Sequence, residues 1–293
     1  MNILITGTSG FIASKLAKEL KAQGYNVIGL DFSDKGEHTS IVLDISSKSF
    51  IDDFPLQDID VIYHLAAQSG GYRSLVDPYI DAEWNSTGTA NVVNLAKKLN
   101  INKFIYTSTM AVYGNSKLVT EDTPVNPISF YGVSKYAGEL QTKLLKEHSD
   151  ISYTIYRLFA TYGAGQDLEN SHQGILSIYL SQALKANTVN ITGKKDRVRE
   201  LIHVDDVVQA LLLGLDTRTD DQVYNVTNNE TITPEIIINE IAQQTNKEIA
   251  INELDGYVGD QTFINSKKSK LYSLGWSPKI NLKQGVQEFL SNI

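Results

Sequence analysis

The sequence predicts an α/β protein: a doubly wound parallel sheet with a smaller, interleaved C-terminal lobe. Short apolar runs alternate with helical segments through roughly the first 160 residues, a pattern that right-handed crossovers fold into parallel strands. The first run leads into a glycine-spaced turn that opens a helix. After about residue 160 the pattern changes, and helices and short strands follow a loop-like stretch at 162–174.

The elements follow in order. "NILIT" (2–6) is a strand, and "FIASKLAKELKAQG" (11–24) has helical periodicity and stops at Gly24. Strands are expected at 26–31, 40–45, 60–67, 103–109 and 152–159. A long helix is expected over 78–100 and another near 130–148. Beyond 160, helices are expected at 175–187, 205–215 and 233–246, with strands at "TVNITG", "QVYNVT" and "EIAINEL" and a closing helix at the C-terminus. Residues 1–160 are read as a dinucleotide-binding domain to which segments near 189–227 return. Residues 161–293 are read mainly as a substrate-binding lobe.

Composition narrows the function classes. The 293 residues carry a net charge of -8 with 42% apolar and 20% charged residues, ordinary for a globular protein. The acidic balance argues against nucleic acid, whose phosphates want a basic face. The absence of cysteine excludes disulfides and thiolate metal sites, and the five histidines show no H-x-x-x-H pairing, so no metal is expected. The apolar start "MNILITGTSGFI" is too short for a secretory leader, and no run of eighteen apolar residues occurs. A cytoplasmic enzyme or binding protein without membrane partners is the expectation.

Two local patterns carry chemistry. "TGTSGFIAS" spaces Gly7, Gly10 and Ala13 at a strand-to-helix junction. Glycines there let backbone amides approach a pyrophosphate, and the helix N-terminus favours its charge. Asp31 ends the second strand some twenty residues on, where a carboxylate accepts hydrogen bonds from an adenosine ribose and repels a 2'-phosphate, favouring NAD over NADP. Asp44, near the third strand, is within reach of the adenine. His64 reads as a packed strand residue. The second pattern is "YGVSK": Tyr131 and Lys135 lie one helical turn apart on one face of a helix.

Taken with "HLAAQ" (64–68), "TSTMAVYG" (107–114), "RELIHVDDV" (199–207) and "LGWSP" (274–278), these motifs resemble the extended short-chain dehydrogenase/reductase family, in its nucleotide-sugar epimerase/dehydratase branch. The resemblance spans essentially the whole chain and implies a Rossmann domain holding NAD. It makes Tyr131 the acid–base residue, Lys135 its cationic partner on the nicotinamide ribose, and Thr109 the hydroxyl on the reacting oxygen, with Thr107 and Ser108 as near neighbours. A free tyrosine ionises near 10, so work near neutral pH needs a downward shift of roughly 3 units. The resemblance further implies cofactor contacts from Gly7, Gly10, Phe11, Ile12, Asp31, Asp44, Ile45, Leu65, Ala66 and Ala67, and substrate contacts from Gln68, Arg199 and Asp260. Asn85 matches a supporting asparagine behind the catalytic strand. A homodimer through the helices near 78–100 and 130–148 is expected by the same analogy.

The residues after Thr109 separate the chemistries of the branch. Its 4,6-dehydratases carry Asp-Glu there; this chain has Met110 and Ala111, neither of which can act as acid or base. A 4-epimerase acting on a nucleotide-diphosphate sugar, of UDP-hexose type, is the first expectation. A 4-keto-sugar reductase and a non-catalytic NAD-binding regulator are the alternatives. Ala160 and Tyr257 stand where the resemblance expects an asparagine and an arginine on the diphosphate, and Ala13 stands for the third glycine.

Overall fold

The structure is a computed structural model and describes residues 1–170, 174–256, 259, 261 and 263–293. The first half runs β1 (Asn2–Thr6), α1 (Phe11–Ala22), β2 (Asn26–Asp31), β3 (Ile41–Val42), α2 (Phe50–Asp53), β4 (Val61–His64), α3 (Gly71–Val76), α4 (Pro78–Ala82), α5 (Gly88–Leu99), β5 (Lys103–Thr109), β6 (Ser116–Val119), α6 (Phe130–Ser149) and β7 (Ser152–Leu158). The second half runs β8 (Ala160–Tyr162), α7 (Ile175–Ala186), β9 (Thr188–Thr192), β10 (Leu201–His203), α8 (Val204–Leu212), β11 (Gln222–Val226), α9 (Pro234–Thr245), β12 (Ala250–Leu254), β13 (Ile264–Ser266) and α10 (Leu282–Ser291).

Seven parallel strands form the main sheet in the order β11-β7-β5-β4-β1-β2-β3. The order reverses between β1 and β4, and ligands of such sheets sit outside the carboxyl ends of the strands at that point. Strand side chains alternate between faces. Ile3 and Ile5 of β1 pack with Leu16 and Leu20 of α1 and with Val207 and Leu211 of α8. Leu4 faces the other way, into a cluster with Val92 and Leu95 of α5 and Leu145 of α6. A third cluster, built from α7, β9, α9 and α10, forms the core of the C-terminal lobe.

The structure departs from the sequence reading in several places. The expected third strand (40–45) is reduced to Ile41–Val42; Asp44 instead accepts the Ser46 amide and hydroxyl in a local turn. The expected helix over 78–100 is interrupted by a π turn at Glu83–Thr87. Of the 189–227 segments, β11 joins the main sheet and α8 packs on its α1 face, whereas β9 pairs with β12 and β10 with β8. The short strands β6, β8, β10 and β13 carry too few residues for a period to be read from sequence.

Candidate active site

The site is built on the ends of β1, β4 and β5 and the start of α6. At β1 the chain turns through Gly7, whose φ of 80° favours glycine and whose Cα faces the Ala66 backbone so closely that a Cβ would lie 2.8 Å from it. Helix α1 begins after Gly10 with no side-chain cap, so its first amides face the cavity at the positive end of the helix. At β2 the Asp31 carboxylate, 5% exposed, accepts the Ser9 and Ser33 amides and stands beside the glycine turn. Each carboxylate oxygen retains capacity for a further donor. This cradle fits a dinucleotide: a close backbone approach, an open helix N-terminus and an acid at the second strand.

Helix α6 starts at Ser129, whose hydroxyl accepts the Gly132 amide as an N-cap. That start places Tyr131 in the first turn, with its phenol near the hydroxyls of Ser69 from the β4–α3 loop and Thr109 from the end of β5. Burial raises the phenol's pKa, and the two hydroxyls pull it back down. One turn on, Lys135 is 2% exposed and its ammonium lies 4.3 Å from the centroid of the Tyr106 ring, a cation–π distance. Burial lowers the Lys135 pKa to about 7, against the opposing pull of Asp81 and Glu139. The three hydroxyls at the end of β5 have different partners. Thr107 donates to the His64 carbonyl, Ser108 donates to Glu139 at 2.5 Å, and Thr109 faces Tyr131.

Behind this face lies a buried network. Asn85, in the π turn, accepts the Gln68 amide and donates to the Gln68 carbonyl, Asp81 and Ser134. His64 is fully buried between Thr6 and Thr89, and burial lowers its pKa to about 3, so it is neutral. Both residues are buried and hydrogen-bonded on either side.

These elements enclose a cavity of about 450 Å³. Its lining brings together Gly7, Gly10, Phe11, Ile12, Leu65, Ala67, Thr109, Tyr131, Lys135 and Arg199 among the expected site residues. Other expected residues do not line it. Asp31 and Ala66 stand directly behind the glycine turn, Asp44 is exposed in its own turn, and Ile45 is packed in the core against α5. Gln68 is 4% exposed and held in the Asn85 network rather than on the cavity wall. Asp260 and Tyr257 lie outside the described residues. Met110 and Ala111, which the sequence reading sets against dehydration, and Ala160, which it places at the diphosphate, all line the cavity.

Arg199 does not depend on its acidic sequence neighbours. Glu200 is bound by Thr227 and Ser266, and Asp205 pairs with Lys15. Sequence reasoning missed Ser69, Asp81 and Arg197. Arg197 lines the cavity beside Arg199; an i, i+2 pair on an extended segment shares a face, and that spacing was the available signal. Among the described lining residues the ionisable cations are Lys135, Arg197 and Arg199, and no carboxylate is present.

The chain matches the NAD dependent epimerase/dehydratase family over residues 3–227. A UDP-glucose 4-epimerase of Mycolicibacterium smegmatis is 31% identical over 316 residues, covering 100% of this chain and 99% of the relative. Among solved structures, UDP-glucose 4-epimerase of Thermotoga maritima with UDP-glucose superposes with a TM-score of 0.92 at 28% identity, over 100% of this chain and 98% of that one. A Thermus thermophilus UDP-glucose 4-epimerase complex with NAD gives 0.91 at 26% identity, over 100% and 98%. This chain belongs to the NAD dependent epimerase/dehydratase family.

Proposed function

We propose that this protein is an NAD-dependent 4-epimerase of nucleotide-diphosphate sugars, with a UDP-hexose as the first candidate substrate. The observation that carries the reading is the convergence of Thr109, Tyr131 and buried Lys135 on one cavity, where Met110 and Ala111 offer no acid or base for dehydration. The UDP-sugar 4-epimerases among its relatives support the same reading.

In this reading Tyr131 takes the proton from the sugar 4-hydroxyl while Thr109 hydrogen-bonds the same oxygen. NAD, held at the Gly7–Gly10 turn and Asp31, would supply the hydride acceptor for C4 and the hydride for its return, leaving no net oxidation. Tyr131 then gives its proton back to the oxygen after the keto sugar has presented its other face. The ammonium of Lys135 stabilises the phenolate, offsetting the burial that disfavours it. Arg197 and Arg199 supply positive charge for the substrate diphosphate. An exposed apolar stripe on α6, formed by Val133, Leu140 and Leu144, supports a homodimer through this helix. Light scattering is expected to give twice 32.5 kDa, and a monomer mass would refute it.

The test is proton NMR of the purified protein with NAD and no reductant. UDP-glucose, UDP-N-acetylglucosamine and UDP-glucuronate are supplied separately. A new anomeric signal from a 4-epimer without accumulation of NADH is expected. No epimer from any of the three, with turnover of a 4-keto sugar plus NADH, would replace the epimerase by a reductase.

A further inference from the structure

We propose that Asp81 is the remote counter-charge of Lys135, a buried carboxylate on α4 that keeps the ammonium charged from behind the cavity wall. Asp81 is 1% exposed and Lys135 is 2% exposed. Asp81 is held by two neutral donors: the Ser134 hydroxyl at 2.6 Å and the Asn85 side-chain amide at 3.1 Å. Burial raises its pKa, and the Ser134 bond and the Lys135 charge pull it back down. Among the described residues neither Asp81 nor Lys135 has an oppositely charged group within ion-pair distance. A lone buried charge is costly unless another offsets it. Here two such charges of opposite sign sit on neighbouring elements, tied through Ser134, the residue just before Lys135.

Among the described residues, the other charged or titratable groups around Lys135 are neutral or neutralised. Glu139, one turn further along α6, receives two hydrogen bonds from Arg157 on β7 and one from Ser108 on β5. His64 on β4 is neutral at working pH. Tyr106 on β5 is fully buried, and burial drives its pKa well up, so it stays protonated. Tyr131, one turn before, is the group whose ionisation Lys135 serves. Asp81 is left as the uncompensated negative charge, and coulombic attraction reaches through a poorly screened interior. Its field raises the proton affinity of Lys135 and also that of Tyr131. The two effects compete: Asp81 keeps the lysine cationic and makes the phenol harder to ionise. Removing the charge therefore lowers both.

The decisive experiment is a nitrogen-15 NMR titration of the lysine side chains in the full chain, with and without saturating NAD, with Lys135 assigned through Lys135→Met. Without NAD the Lys135 midpoint is expected at about 7 in the unsubstituted protein. Asp81→Asn, which keeps the shape and removes the charge, is expected to move it to lower pH. Asp81→Ser keeps a partner for Ser134 without charge and carries the same expectation if the asparagine variant does not fold. Ser134→Ala deletes the hydrogen bond and keeps the charge, so its midpoint is expected to stay closer to that of the unsubstituted protein. An unchanged midpoint in the charge-free variants, or an equal displacement in Ser134→Ala, would overturn the proposal. A second arm rests on the epimerase reading: both limbs of the pH profile of kcat/KM are expected to move to lower pH in Asp81→Asn. Absence of turnover with every UDP-sugar would refute that reading alone, because the NMR midpoint still decides the charge coupling.

Discussion

Replacing Arg157 by methionine tests how helix α6 is fastened to the sheet. Arg157 on β7 donates through Nε and Nη2 to the two oxygens of Glu139 on α6, at 2.9 and 2.7 Å, with side chains 4% and 0% exposed. It also donates to the Tyr113 hydroxyl at 2.8 Å and the Glu121 carbonyl at 3.3 Å. Arg157→Met leaves the Glu139 carboxylate buried with Ser108 as its remaining donor. Breaking a buried pair this way costs about 3–5 kcal/mol, and the two further lost bonds, about 1 kcal/mol each, place the expectation at the upper end. That is a large part of the 5–15 kcal/mol or so that holds a typical domain. Urea unfolding followed by circular dichroism measures it. The double variant Arg157→Met/Glu139→Gln removes both charges and is expected to recover at least about 2 kcal/mol of the loss. A single-variant loss below about 1 kcal/mol, or a double variant equal to the sum of the singles, would refute the argument.

Further predictions concern the site itself. Tyr131→Phe keeps the ring and removes the acid–base group; turnover of the UDP-sugar is expected to fall about 10²–10⁴-fold with NAD binding retained by calorimetry, and an active variant would remove Tyr131 from the mechanism. Lys135 gives a stability signature. The unfolded chain holds that proton to about pH 10.5, whereas the folded chain releases it near 7, so unfolding takes up a proton between those values and stability rises with pH across that window. Urea midpoints measured from pH 6 to 10 are expected to show a rise that is smaller in Lys135→Met; identical slopes would contradict it. Gly7→Ala forces a φ of 80° on a residue whose Cβ meets the Ala66 backbone at 2.8 Å, whereas Gly24→Ala, with a φ of 86°, meets nothing within 4 Å. Calorimetry is expected to show NAD affinity lost at Gly7 and kept at Gly24, and equal behaviour would deny the close-approach role.

Short-range periodicity carried a large share of the fold into the sequence. The apolar run of β1, the glycine spacing behind it and the helical period of α1 are local, and the structure reproduces all three within two residues. The Tyr131–Lys135 pairing was legible for the same reason, since a helix brings i and i+4 together whatever surrounds it. His64 read as a packed residue because its strand position already implied burial, and it is buried. Other features arise only when the chain is packed. Ser69 meets the Tyr131 phenol across 62 residues of chain, and Ser134 meets Asp81 across 53. Such meetings depend on which strands become neighbours, and the crossovers set that, not any local period. The π turn at Glu83–Thr87 sits inside a segment with ordinary helical character, so no periodicity announced it. Gln68 and Ile45 were expected in the site by resemblance, whereas packing holds one in the Asn85 network and the other in the core. Sequence named the Tyr131–Lys135 pair; the three-dimensional arrangement was needed to show which buried charges stand behind it, because electrostatic energy depends on distance through the fold and not along the chain.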